Sequence, residues 1–122
     1  MPELELLVAR VESAIASSEV VALVAGHPPL GVALLTFRPS IWTGAPTATL
    51  EDLYVVPQQR GRGHGRSLLR GALDAARQRG AASVELYTGE GDAAARALYE
   101  AHGFMTTEPG ESDRLFFYHR RL

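Results

Sequence analysis

The sequence predicts an α/β domain of the mixed α+β kind, with a mostly antiparallel sheet, one central parallel strand pair and flanking helices. Three observations point there. Two short apolar runs rich in β-branched residues, Val20–Ala25 and Leu30–Phe37, are separated only by Gly26-His27-Pro28-Pro29, which makes them an antiparallel hairpin. A third run, Thr47–Val56, passes through a glycine-rich loop into a helical pattern and then a fourth run, Ser83–Thr88. Strand, helix and strand in that order imply a right-handed parallel crossover. A last helical stretch and closing strands complete the order expected of such a domain.

Each element has its own signal. Leu4, Leu7, Val8, Val11 and Ile15 recur at helical spacing, so residues 3–17 read as an amphipathic helix. The hairpin follows, then a loop over Arg38–Pro46 for which Trp42 is the expected anchor. The third strand is apolar on both faces apart from Glu51 and Asp52, which marks it as central. Leu68, Leu69, Ala72, Leu73 and Ala76 form the buried stripe of a helix running from about Gly65 to Gln78 and stopped by Gly80. Asp92 is a good N-cap for a helix over Ala93–His102, which Gly103 ends. Phe104 is expected to open a short strand, and Arg114–Arg120 a final one. With 122 residues, no internal repeat and no linker, residues 1–122 read as one domain.

Composition excludes several chemistries. There is no cysteine, so a disulfide, a thiolate–zinc site and a thiol nucleophile are ruled out. No histidine or acid spacing suggests a metal site. No apolar run reaches the length of a membrane span and no leader pattern opens the chain, so a cytoplasmic protein without membrane partners is expected. Net charge is −2, unevenly spread. Residues 60–79 hold six arginines against the single acid Asp74, a local charge of +5 in a chain whose remainder carries −7. A basic island in an acidic protein suits a small polyanion better than nucleic acid, which calls for a broad basic face.

The island coincides with the loop. In Arg60-Gly61-Arg62-Gly63-His64-Gly65-Arg66-Ser67, three glycines alternate with Arg62 and His64 just before a helix. Glycines let the backbone turn tightly and bring its N–H groups close to a ligand, and the helix start leaves amides without partners. The residues therefore offer a phosphate cradle. Neither G-x-x-x-x-G-K-[ST] nor G-x-G-x-x-G fits them. What remains, Arg60-x-x-Gly63-x-Gly65 after Val55-Val56-Pro57, resembles the pyrophosphate loop of the GNAT superfamily of acyl-CoA N-acyltransferases.

A second motif strengthens the resemblance. Asp92 to Phe104 is similar to the family pattern Asn-x-x-Ala-x-x-Leu-Tyr-x-x-x-Gly-Phe, with Ala95, Leu98, Tyr99, Gly103 and Phe104 in register and Asp92 replacing the asparagine. The resemblance implies acetyl-CoA as cosubstrate. It implies a cofactor site of Val55, Val56, Arg60, Gly61, Arg62, Gly63, His64, Gly65, Arg66, Ser67, Asp92 and Ala95. It makes Tyr99 the general acid for the departing thiolate, and an amide at Val55 or Val56, beside a strand bulge, the donor to the thioester carbonyl. Asp92 meets the pantetheine arm or serves only as the helix cap.

Leu50-Glu51-Asp52-Leu53-Tyr54-Val55-Val56 further resembles a segment of spermidine/spermine N-acetyltransferases. That likeness implies Glu51 as the base and Glu51 with Asp52 as binders of a cationic amine. Because strand side chains alternate, the two acids are expected on opposite faces. Against the family pattern the chain looks N-terminally shortened, lacking a first strand and helix, and the uncovered strand edge points to a homodimer. The expected function is acetyl transfer from acetyl-CoA to a primary amine, such as a polyamine or diamine, in a ternary complex. A non-catalytic acyl-CoA-binding module, or an enzyme acting on a peptide N-terminus, stays open.

Overall fold

The computed structural model describes residues 6, 8–10, 19–107, 110, 116 and 118–122. They fall in two compact units, Met1–Tyr87 and Thr88–Leu122.

The first unit holds a four-stranded sheet in the order β1-β2-β3-β4, with β1 Glu19–Ala25, β2 Gly31–Pro39, β3 Pro46–Val55 and β4 Ser83–Leu86. β1–β2 and β2–β3 are antiparallel and β3–β4 is parallel, so the mixed sheet and its central third strand are as expected. Helix α1, His64–Gln78, supplies the crossover. Its Leu68, Leu69, Ala72 and Ala76 bury against Ala33, Leu35 and Phe37 of β2 and Ala48 and Leu50 of β3. Leu73, expected in that stripe, is only half-buried. The opposite sheet face carries the alternate residues, with Val20 and Val24 exposed.

Contacts outside the core fix the unit's edges. The Glu19 carboxylate pairs with Arg79, whose guanidinium also lies over the Phe37 ring. Residues 6 and 8–10 are helical, and the rest of the expected 3–17 helix lies outside the described residues. Trp42 does not anchor its loop: its side chain is 55% exposed. The loop is held instead by the Arg10 guanidinium, which donates to the carbonyls of Ile41 and Trp42 at 2.8 and 2.9 Å. Two backbone carbonyls beside a cation need no indole burial to hold a loop.

The second unit contains helix α2, Ala93–Ala101, capped by Asp92 and closed by Gly103 at φ +87°. Phe104 opens no strand, because the chain bends back and its amide bonds to the Tyr99 carbonyl at 3.1 Å. Residues 116 and 118–120 of the expected last strand are not in strand, and residues 114, 115 and 117 lie outside the described set.

Candidate active site

In the first unit, β3 carries a bulge at its acidic pair. Leu35 faces Leu50 and Leu34 faces Asp52, so Glu51 has no opposite number on β2. Two residues set against one shift the alternation by a step. Asp52 then shares the face of Leu34, and the Glu51 carboxylate accepts a 2.7 Å bond from the Thr36 hydroxyl on that same face. The expectation of opposite faces is thus corrected: the inserted residue brings both exposed acids to the side away from α1.

The bulge also marks where β3 parts from β4. Their ladder ends at Leu50 and Leu86, whereas β3 runs on to Val55. The Val56 amide donates to the Leu30 carbonyl at 2.8 Å, continuing the antiparallel ladder with β2. It is occupied, so of the two amides expected to serve a thioester it is removed. Ladder bonds alternate in direction along an antiparallel strand. Val55, one residue earlier, therefore turns its N–H and C=O away from β2, to the edge that β4 has left.

Next comes the loop. After a single 3-10 turn over Pro57–Gln59, Gly61 and Gly63 adopt φ of +77° and +85°, and Gly63 is the N-cap of α1. A residue with a Cβ is strained in that left-handed region. A Cβ at either glycine would meet nothing within 4 Å, so the space beside the backbone is open. No side chain caps α1, and its first internal bond runs from the Ser67 amide to the Gly63 carbonyl at 3.1 Å. The amides of Gly63, His64, Gly65 and Arg66 precede that bond and have no partner within the helix. With the helix dipole, they suit an anion.

The arginines divide by role. Arg60 is exposed, and the structure ties it to β3. Its Nε donates to the Val55 carbonyl at 2.8 Å and its guanidinium lies 5.4 Å from the centre of the Tyr54 ring. A planar cation prefers an aromatic face and a fixed carbonyl to a solvated loop. Arg62 donates to Gln59 at 3.3 Å. Arg77 pairs with Asp74. Arg62, Arg66 and Arg70 have no carboxylate partner among the described residues.

In the second unit, the Asp92 carboxylate accepts from the Ala95 amide at 3.1 Å. Of the two residues expected at the cofactor, Asp92 thus caps the amide of Ala95, as an N-cap does. Tyr99 is half-buried, with its ring 5.7 Å from that of Phe104 in an edge-to-face contact. Burial, and then the negative charge of Asp92, raise its phenol above the ordinary tyrosine range. His102 donates from Nδ1 to the Leu98 carbonyl at 2.8 Å, a helix-end role. Thr36, which holds Glu51, carries no motif, and Tyr54, which holds Arg60, lies in the Leu50–Val56 segment without an expected role. A lone threonine in an aliphatic strand was the only trace of the first. Among the described residues no cluster of His, Cys, Asp or Glu fits a metal, and no helix is long and apolar enough to cross a membrane.

A mixed sheet that splays beside an uncapped, glycine-led helix start defines a recognisable class of domain. The model of the acetyltransferase (GNAT) family matches residues 4–104, and the chain belongs to that family. A crystal structure described as that of an acetyltransferase from Arthrobacter sp. FB24 superposes with a TM-score of 0.78 at 40% identity, over 100% of this chain and 78% of the other. Mycothiol acetyltransferase of Beutenbergia cavernae is 47% identical over 68 residues, 53% of this chain and 23% of the relative. Streptothricin acetyltransferase of Streptomyces lavendulae is 45% identical over 56 residues, 46% of this chain and 30% of the relative. The matched stretches thus span less than a third of these two curated relatives.

Proposed function

We propose that the chain is an acetyl-CoA-dependent N-acetyltransferase acting on a small primary amine, with polyamines and diamines as the first candidates. The observation that carries the reading is the bulge. It sets Glu51 and Asp52 on one face and, a few residues on, leaves the Val55 amide free of the ladder. Two clustered carboxylates suit a cationic amine, and a fixed N–H suits a carbonyl that gains negative charge. The names of the mycothiol and streptothricin relatives support a small acceptor.

Coenzyme A supplies the activated acetyl group as a thioester. The amides of Gly63 to Arg66, with Arg62 and Arg66, hold its diphosphate. Gly61 keeps the approach clear. Glu51, held by Thr36, takes a proton from the amine, which can attack only when neutral. Asp52 keeps a second cationic group of the acceptor in place. Val55 donates its N–H to the thioester oxygen, and Tyr99 gives its proton to the leaving sulfur. The phenol, held above the ordinary tyrosine range, is protonated at neutral pH, as a proton donor must be.

Incubation with acetyl-CoA and a panel of mono-, di- and polyamines, followed by CoA release, tests the reading. Turnover fastest with diamines or polyamines is the expected result. Binding of CoA without turnover of any amine would leave a binding module only. The homodimer belongs to the same reading: the outer edge of β1 has no strand beside it among the described residues. Sedimentation should give twice the 13.2 kDa chain mass.

A further inference from the structure

None of the steps proposed above uses the Arg60 side chain, which turns back from the glycine loop onto β3. We propose that Arg60, seated on Tyr54, selects among acceptor amines. It turns away those that carry a positive charge beyond Glu51 and Asp52, and admits those whose far end is neutral or anionic. The proposal rests on the amine-acceptor reading and narrows its first candidates, from diamines and polyamines to short diamines.

Three observations carry it. The first is placement. Past the bulge, Asp52 lies opposite Leu34 and Tyr54 opposite Val32, so the acid and the ring share the sheet face away from α1. Along β3 they are two positions apart, roughly 7 Å. The Arg60 guanidinium lies 5.4 Å from the centre of that ring, so a cation stands beside the acids on the face the acceptor uses. The second is fixation. Arg60 Nε donates to the Val55 carbonyl at 2.8 Å while the ring meets the guanidinium, so the charge is held from two sides. A carbonyl and a ring hold a guanidinium without neutralising it. The third is the missing partner. The other cation of this face, Arg38, is paired with Glu85 at 3.7 Å. Arg60 has no carboxylate within ion-pair distance among the described residues, although Asp52 is two positions from the ring that holds it. An ion pair would have cancelled both charges. Kept apart, they make a field that changes sign along β3, negative at the bulge and positive at Tyr54. Such a field reads where an acceptor carries its charges, and a like charge set against the wrong acceptor is a means of rejecting it.

Initial rates at saturating acetyl-CoA test this with two sets of primary amines, propyl and octyl, each ending in ammonium, hydroxyl or carboxylate. The propyl chain keeps its end at the acids. The octyl chain carries its end past them to Arg60. In wild type, ammonium should be the best propyl end. Among octyl acceptors the order should reverse, with kcat/KM for the carboxylate end exceeding that for the ammonium end by about tenfold, the scale of one unit charge facing another about 7 Å away at a protein surface. Arg60→Gln should erase the octyl preference and keep the propyl one. Tyr54→Leu, which removes the seat but not the charge, should weaken the octyl preference, and Tyr54→Phe should retain it. Ratios between acceptors cancel any effect of a variant on folding or on acetyl-CoA, because those act on every acceptor alike. An octyl order in wild type that matches the propyl order overturns the proposal. So does an octyl order that Arg60→Gln leaves unchanged, or a loss in Arg60→Gln that is equal for all six acceptors. Each of these spares the amine-acceptor reading, whereas CoA release with none of the amines ends both.

Discussion

Val55 and Val56 are neighbours of the same type, yet their amides have opposite uses. Val56 donates within the β2–β3 ladder and Val55 does not. Proline at 56 removes a 2.8 Å ladder bond, an expected loss of about 1–3 kcal/mol, whereas proline at 55 removes no ladder donor. Val55→Pro should therefore fold, as thermal melts will show, and lose on the order of 10²–10³-fold in kcat if its N–H serves the carbonyl. Tyr99 gives a second expectation at this scale. Tyr99→Phe should keep CoA affinity and lose on the order of 10²–10⁴-fold in rate. Its raised pKa also has a stability consequence. The folded state holds the phenol proton more tightly than the unfolded one, so nothing changes below the unfolded value of about 10. Above it the unfolded chain ionises first and stability falls until the folded phenol also ionises. Urea midpoints between pH 8 and 11 should decline less in Tyr99→Phe than in wild type. Glu51 shows what residue patterns leave out. Its carboxylate was readable in the strand, but its face was not, because an inserted residue in a ladder leaves no mark on an alternation of side chains.

At the scale of elements, the four strands of the sheet and α1 followed from hydrophobic period and glycine punctuation to within a few residues, whereas the strand expected at Phe104 did not form. Both signals act locally, so a single chain displays them. The Arg38–Pro46 loop did not follow, since Arg10, 31 residues before Ile41, holds it. A contact at that separation has no local period. Gly31 is a further case. It opens β2 after a turn and looks like turn chemistry, but a Cβ there would lie 2.7 Å from the Tyr54 carbonyl oxygen and 3.0 Å from Leu68 Cδ1. The glycine lets β2, β3 and α1 approach one another. Backbone cannot yield as a side-chain tip can, so Gly31→Ala should cost about 1–3 kcal/mol, read as a lower urea midpoint at unchanged m-value. Gly63→Ala tests the opposite situation. There is room for the methyl, but φ is +85°, so the expected loss is about 1–2 kcal/mol of conformational strain with no packing change.

For the molecule as a whole, the charge pattern gives an expectation that net charge alone would miss. A chain of net −2 should repel a polyanion, yet its positive charge is concentrated at residues 60–79. The structure sorts that charge further. Arg60 is bound to β3, Arg77 to Asp74 and Arg79 to Glu19, leaving Arg62, Arg66 and Arg70 without carboxylate partners among the described residues. Those three, with the amides of the helix start, make the field that a diphosphate bound as proposed would meet. Exposed charges act over a Debye length of about 10 Å at 0.1 M salt and about 3 Å at 1 M. CoA affinity should therefore fall steadily as salt rises. Arg66→Gln and Arg70→Gln should each weaken binding at low salt and flatten that dependence, converging on wild type at high salt. Arg77→Gln should do neither, because its charge is already paired. Calorimetry at several salt concentrations reads all three. A salt slope that Arg77→Gln flattens as much as Arg66→Gln would mean that total charge, rather than the unpaired arginines beside the cradle, draws the ligand in.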